Sequence, residues 1–269
     1  MGLIGIDKDK VHIFASRTFL YRYPYGGHIM HPEVYILIIP SFGLINYQLS
    51  QYTSNYIFGS ISMILALISI LIFGSLVWAH HMFTVNLESD TNLYFSILTL
   101  VIAIPTGTKL YNWLFLIYSQ PYNTLQSYNI PLLYCYLFLL MIIFGGITGV
   151  ILGNNILDIQ LHDTYFVVSH FHYILSIGSV LSIFLTLIQI SSYISPVRIS
   201  KYIMTTIDIN YLTIIFILLN VIFLPMYYLG FNTLPRRIPD YADYLFTWNS
   251  VATIGVIALY TLFLILILT

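Results

Sequence analysis

Seven long apolar stretches, parted by short polar breaks, set the terms for this chain. They run over about residues 27–51, 56–80, 92–118, 130–152, 164–194, 208–230 and 246–268. Each is long enough to cross the hydrocarbon layer of a bilayer as a helix, which takes roughly 20 residues. Inside lipid every backbone N–H and C=O has to be paired within the protein, and a helix does this segment by segment. The expected fold is therefore an all-α polytopic membrane protein with seven transmembrane helices. Composition agrees: only 7% of the 269 residues are charged and 59% are hydrophobic, too little charge for a soluble domain of this length. The fifth stretch is the longest and is expected to tilt or to run past the bilayer. Pro40 and Pro105 fall inside spans, where neighbouring helices re-satisfy the carbonyls they free. Residues 1–26, with Asp7, Lys8, Asp9, Lys10, Arg17 and Arg22, read as a polar lead outside the hydrocarbon, and 27–269 as the membrane domain.

Several function classes drop out. A net charge of −1 argues against nucleic acid as a partner. The single cysteine, Cys135, allows no internal disulfide, and its apolar neighbours suggest a buried, inert thiol. No internal repeat supports an inverted-repeat transporter. Loop charges do not fix an orientation, because Arg198 and Lys201 lie on one side and Arg236 and Arg237 on the other.

Following the chain through alternate crossings is more informative. If the first span starts on side A, His31 lies near A. His80 and His81 end the second span near A. His162 and Asp163 sit in the loop after the fourth span, again on A. His170 and His172 occupy the first turns of the fifth span, and Arg236 and Arg237 follow the sixth. All these candidate ligands gather in one half of the membrane.

Within Leu161–Tyr173, His170 and His172 are two residues apart, about 200° around a helix axis. They point to opposite sides, as interhelical hydrogen-bonding histidines or as ligands of two separate metal centres. His31 and Tyr35 are i and i+4 and share a face. His80 and His81 are about 100° apart. By themselves they suit a membrane interface; with His31 they make three imidazoles, a set for copper or zinc with an open position. Asp158, His162 and Asp163 suit a hard divalent ion. Arg236 and Arg237 suit the propionates of a haem or, equally, lipid phosphates.

Glu33 and Lys109 are charged residues in apolar surroundings. A charge at mid-membrane costs about 2.5–3.5 kcal/mol on insertion scales, which makes such residues candidates for proton relay or ion binding. Lys109 lies past the middle of the third span, toward side B, where it either snorkels or receives protons. Thr106, three residues earlier, shares its face and offers a hydroxyl to the same path.

The motifs HPEVY at 31–35, WAHHMF at 78–83, IPTGTK at 104–109, LHDTYFVVSHFHY at 161–173 and LPRR at 234–237 occur in an order and spacing that resembles subunit I of the haem–copper cytochrome c oxidases. The resemblance runs from about residue 31 to the end and corresponds to the last seven of that subunit's twelve helices. It implies a terminal oxidase that reduces dioxygen to water with electrons from cytochrome c and translocates protons. It implies that His31, His80 and His81 ligate the active-site copper (CuB), with Tyr35 covalently joined to His31 as an electron and proton donor. His170 would be the axial ligand of a high-spin haem a3-type group and His172 one axial ligand of a low-spin haem a-type group. Glu33 would be the branch point of one proton route; Lys109, Thr106 and Tyr35 would serve another. His162 and Asp163 resemble ligands of a magnesium ion shared with subunit II, Arg236 and Arg237 resemble haem-propionate partners, and Asp158 groups with these cofactor-binding residues. The tyrosine of HPEVY favours a cytochrome c or quinol oxidase over the nitric oxide reductases of the same superfamily.

The sequence departs from the family in places. Nothing resembles the first five helices, which carry the second low-spin haem histidine. Gly27-His28-Ile29-Met30 stands where the family reads Trp-Phe-Phe-Gly, and Asn46 stands at the mouth of the lysine route where serine is usual. The expectation is a split subunit, active only with a companion polypeptide supplying the first five helices, and with subunit II, subunit III, accessory subunits, cytochrome c and membrane lipid as partners. The mitochondrial inner membrane is the expected location, with a bacterial plasma membrane as the alternative. Two rival readings are a haem-free ion transporter or channel using Glu33 and Lys109, and an assembly partner that keeps the fold without the chemistry.

Overall fold

A computed structural model describes residues 26–53, 56–85, 87–119, 130–183, 185–186, 190 and 201–268; the side chains of 26–31, 52, 130–131, 201–209 and 266–268 fall outside the description. The polar lead expected over residues 1–26 therefore lies almost wholly outside the described residues, as does Arg198.

The elements are helical. α1 spans Gly26–Thr53, α2 Ser60–Leu76, α3 Ser89–Val101, α4 Ala103–Tyr118, α5 Ile130–Gly153, α6 Asn155–Leu161, α7 Tyr165–Phe171, α8 Lys201–Phe231 and α9 Phe246–Leu268. A 3₁₀ segment, Trp78–Met82, follows α2, and a π-helical segment, His172–Ser179, continues α7. The two extended backbones at Thr164 and Pro235 meet as an isolated antiparallel bridge.

Six helical stretches among the described residues are long and apolar enough to cross a membrane: Ser60–Met82, Ser89–Tyr118, Leu132–Gly153, Tyr165–Ile183, Asn210–Phe231 and Asp243–Ile265. This corrects the expected count of seven. The first stretch does form a continuous 28-residue helix, Gly26–Thr53. Its described side chains begin only at Pro32 and Glu33 and run into Asn46, Gln48, Ser50 and Gln51, which leaves a shorter apolar run among them. The third stretch, expected as one helix, is two: α3 and α4 meet at Ile102. Pro105, the third residue of α4, has no N–H to continue the ladder back into α3.

One apolar core joins α1, α4, α5, α7, the π segment and α8. Ile38, Phe42, Ile45, Trp113, Phe138, Tyr173, Ile177, Leu181 and Ile222 are among its buried members. Many other large apolar side chains face outward on α2, α3, α8 and α9, as expected where the surrounding medium is lipid or further helices. Close packing depends on glycine where α8 crosses α7: a Cβ on Gly230 would overlap the backbone of Phe166.

Candidate functional site

Two capped turns prepare the segment that carries His170. Asn154 caps α6 by accepting from the Ile156 N–H at 3.1 Å. Thr164 caps α7 by accepting from the Phe166 N–H at 3.3 Å, while its hydroxyl donates to the Leu161 carbonyl at 2.6 Å. Between the caps, Asp163 takes a left-handed backbone, φ 55°, which Asp tolerates better than most residues.

His170 and His172 leave the helix on different sides, as their spacing requires. His170 faces α5: its Nδ1 lies 3.0 Å from the Gly145 carbonyl and 3.1 Å from the Thr148 hydroxyl. His172 faces α8 and α1. Its Nδ1 lies 2.7 Å from the Val168 carbonyl, and its ring stacks on Phe223, centroids 4.8 Å apart and planes at 21°. A carbonyl only accepts, so in both rings Nδ1 carries the proton and Nε2 keeps its lone pair. A Cβ on Gly149 would stand 2.8 Å from Cε1 of His170, so only glycine leaves room for that imidazole edge. His172 also lines an open groove of about 470 Å³ with Leu37, Pro40, Ser41 and Leu44 of α1 and Ser176 and Ser179 of the π segment.

His80 and His81 sit in the 3₁₀ segment with ring centroids 4.1 Å apart. The Thr99 hydroxyl donates to the Phe95 carbonyl at 2.6 Å, so its oxygen is the acceptor for His80 Nδ1 at 3.3 Å. His80 thus shares the tautomer of His170 and His172. A charge on His81 would be felt by His170, His162 and Arg236, which puts the motifs at 78–83, 161–173 and 234–237 in one neighbourhood. The backbone of His31 lies on α1 one turn before Tyr35; its side chain is outside the described residues. Among the described residues no three His, Cys, Asp or Glu side chains are gathered tightly enough to hold a metal ion as a group.

The Tyr35 ring lies against α2, where a Cβ on Gly74 would come within 2.7 Å of Cε2. Glu33, expected in apolar surroundings, is exposed on α1. Lys109 is fully buried, and among the described residues its Nζ has no hydrogen-bond partner. It lies instead over two aromatic rings, 5.2 Å from the centroid of Phe42 and 5.1 Å from that of Trp113. Such contacts reach about 2 kcal/mol when desolvated, comparable to the cost of placing the charge there. The Trp113 indole N–H donates to the Asn46 side-chain oxygen, which holds the ring. Thr106, placed by spacing on the same path, bonds its hydroxyl back to the Ile102 carbonyl at 2.9 Å.

Near the α6–α7 turn, ion pairs form a chain rather than a compact ligand set. His162 Nδ1 is 3.3 Å from Asp158 Oδ2, His162 Nε2 is 3.8 Å from Asp163 Oδ2, and the Arg236 guanidinium is 2.5 Å from Asp163 Oδ1. The hydrogen bond to Asp158, and the charges of Asp158 and Asp163, hold His162 above the ordinary imidazole range against burial and Arg236. The Arg236 N–H also donates to the Asp163 carbonyl at 2.8 Å, and the Tyr165 N–H to the Leu234 carbonyl at 3.0 Å. Arg236 and Arg237 look equivalent in sequence and are not: Arg236 turns inward, and Arg237 is exposed with a left-handed φ of 62°. Sequence reasoning gave no sign of the Phe42–Trp113 cradle, the Asn46 anchor or the Thr148 contact. Their only trace is a polar or aromatic residue inside an apolar run.

The family model described as "Cytochrome C and Quinol oxidase polypeptide I" matches residues 25–265. The chain is 44% identical over 244 residues to cytochrome c oxidase subunit 1 of Plasmodium berghei, covering 90% of this chain and 49% of that protein. It is 45% identical over 226 residues to the Candida albicans subunit 1, covering 84% of this chain and 41% of that one. The chain thus spans about half the length of these relatives. A solved haem–copper terminal oxidase dimer shares the fold at TM-score 0.74 and 19% identity, over 88% of this chain and 46% of the other.

Proposed function

Because this chain belongs to the cytochrome c and quinol oxidase polypeptide I family, we propose that it supplies about half of the catalytic subunit of a terminal oxidase. That enzyme reduces dioxygen to water with electrons from cytochrome c and couples this to proton translocation. The observation that carries the reading is the shared tautomer of three imidazoles. His80, His170 and His172 each commit Nδ1 to an oxygen acceptor and keep the Nε2 lone pair, which is how a protein prepares neutral histidine as a metal ligand.

The residues fit the groups that the family implies. Gly149 leaves room for the His170 ring to pack against α5, and His172 lines a groove of about 470 Å³ on the other side of the helix. In this reading His170 holds the high-spin haem, His172 gives one ligand to the low-spin haem, and His31, His80 and His81 hold the copper. Bound there, iron and copper would supply the oxygen-binding position and most of the electrons. The remaining roles fall to the chain itself. Tyr35, on the same face as His31, gives up its phenolic proton. Lys109 takes a proton from side B and passes it inward, its charge made conditional by burial. Glu33, exposed on α1, works on a second route completed by residues outside this chain. Arg236 and Arg237 meet propionates, and His162 and Asp163, with Asp158 behind them, share a magnesium ion with subunit II. The second low-spin haem ligand belongs to the remaining length of the family, and the complex sits in the mitochondrial inner membrane.

The test is to isolate the intact complex in mild detergent and record its spectrum and metal content. The expected result is one high-spin haem, one low-spin haem and copper, with His170→Ala losing the high-spin signal and His80→Ala losing copper. A complex with no haem bands would leave the ion-transporter reading standing.

A further inference from the structure

Behind His170 lies a hydrogen-bonded chain that joins three helices. Thr148 Oγ1 of α5 is 3.1 Å from His170 Nδ1 of α7 and 2.9 Å from the Tyr227 hydroxyl of α8. Thr148 and Tyr227 are each 6% exposed, so water does not compete for these groups. The carbonyls, which can only accept, orient these groups. The Thr148 hydroxyl donates to the Gly145 carbonyl at 2.8 Å. Its oxygen can then accept from His170 Nδ1–H on one side and from Tyr227 O–H on the other. The Gly145 carbonyl accepts from both Thr148 and His170. Ser169, fully buried beside Tyr227, directs its own hydrogen to the Phe223 carbonyl at 2.7 Å. Every proton in the cluster has an acceptor, and His170 Nε2 keeps its lone pair.

We infer that Tyr227 and Thr148 are positioning residues that set how strongly His170 donates electrons through Nε2. The better the acceptor at Nδ1–H, the more imidazolate character reaches Nε2. The hydrogen of Tyr227 draws density from the Thr148 oxygen and makes it a poorer acceptor. Tyr227 thus weakens donation from His170 across two bonds, without touching whatever His170 holds. Chains of hydrogen bonds in a water-free interior polarise one another in this manner. The inference rests on the reading of His170 as a haem ligand.

Resonance Raman spectra of the reduced, intact complex test it through the iron–histidine stretching band. Tyr227→Phe removes one hydroxyl and keeps the ring that packs against Phe166 and Phe144. It should move the band to higher wavenumber and the potential of the high-spin haem to more negative values. In a Thr148→Val background the same Tyr227→Phe change should move neither, because the connecting oxygen is gone. Ser169→Ala should leave the band in place. An unmoved band in Tyr227→Phe, or an equal shift with and without Thr148, overturns the inference. If His170→Ala retains the band, the haem-ligand reading fails instead, and the two failures are told apart by that variant.

Discussion

The ammonium of Lys109 sits 5.1 Å above the indole of Trp113, and among the described residues it has this ring face and that of Phe42 in place of a hydrogen-bond acceptor. A cation held by ring faces is attracted without being directionally bound. The side chain can carry charge at a site sealed from water and still release it toward another group. Asn46 fixes the ring by accepting from its N–H.

Lys109→Met keeps the length of the side chain and deletes its charge. We expect the active site of the intact complex to be reduced at least tenfold more slowly, with haem and copper content unchanged. Rapid-mixing absorption spectroscopy alongside metal analysis measures both, and an unaltered rate would take Lys109 off the proton path.

Asn46→Ala should release the Trp113 ring and leave a buried indole N–H unpaired, a penalty of about 1–3 kcal/mol. The thermal midpoint of the complex should fall and the Lys109-dependent rate should drop by less than in Lys109→Met. Asn46→Gln, which keeps the acceptor, should recover part of both.

Gly149→Ala places a methyl 2.8 Å from His170 Cε1, closer than real Cβ contacts come. High-spin haem content should fall severalfold. Gly146→Ala, three positions earlier on the same helix and with open space around its Cβ, should keep it. Pyridine haemochrome assay of the two purified variants makes the comparison.

Gly74→Ala meets the Tyr35 ring at 2.7 Å and should displace it, slowing turnover while haem content is retained. Gly43→Ala has nothing within 4 Å and should be silent. Oxygen-electrode rates per haem distinguish them.

Asp163→Asn keeps a residue that accepts the left-handed backbone and removes the charge opposite Arg236. The Asp163 side chain is 57% exposed, so the ion pair itself is worth no more than about 1 kcal/mol. Bound divalent metal should fall more than thermal stability does. Metal analysis and a melting curve on one preparation would separate the two.

How far the sequence could be read depended on the range of each interaction. Helical periodicity placed His170 and His172 on opposite sides, because two residues on one helix keep a fixed angle whatever surrounds them. Six of the seven apolar runs meet the requirement for a crossing helix among the described residues, because hydrophobic length is a local property. The same logic reached less far at Thr106. A shared face suggested a hydroxyl on the Lys109 path, and the structure adds that this hydroxyl bonds the Ile102 carbonyl four residues back. It also could not tell Arg236 from Arg237, since the loop closing against Asp163 turns one in and the other out.

The amino-acid order by itself determined that the chain carries repeated stretches long and apolar enough to cross a membrane, and it set the expectation that the candidate histidines lie toward one face. Both follow from lengths and angles internal to single segments. Only the packed structure decided which nitrogen of each ring keeps its lone pair and what cradles the buried ammonium. Those outcomes depend on atoms far apart along the chain, such as Tyr227 and Thr148, 79 positions apart, which come within bonding distance only when α8 docks on α5.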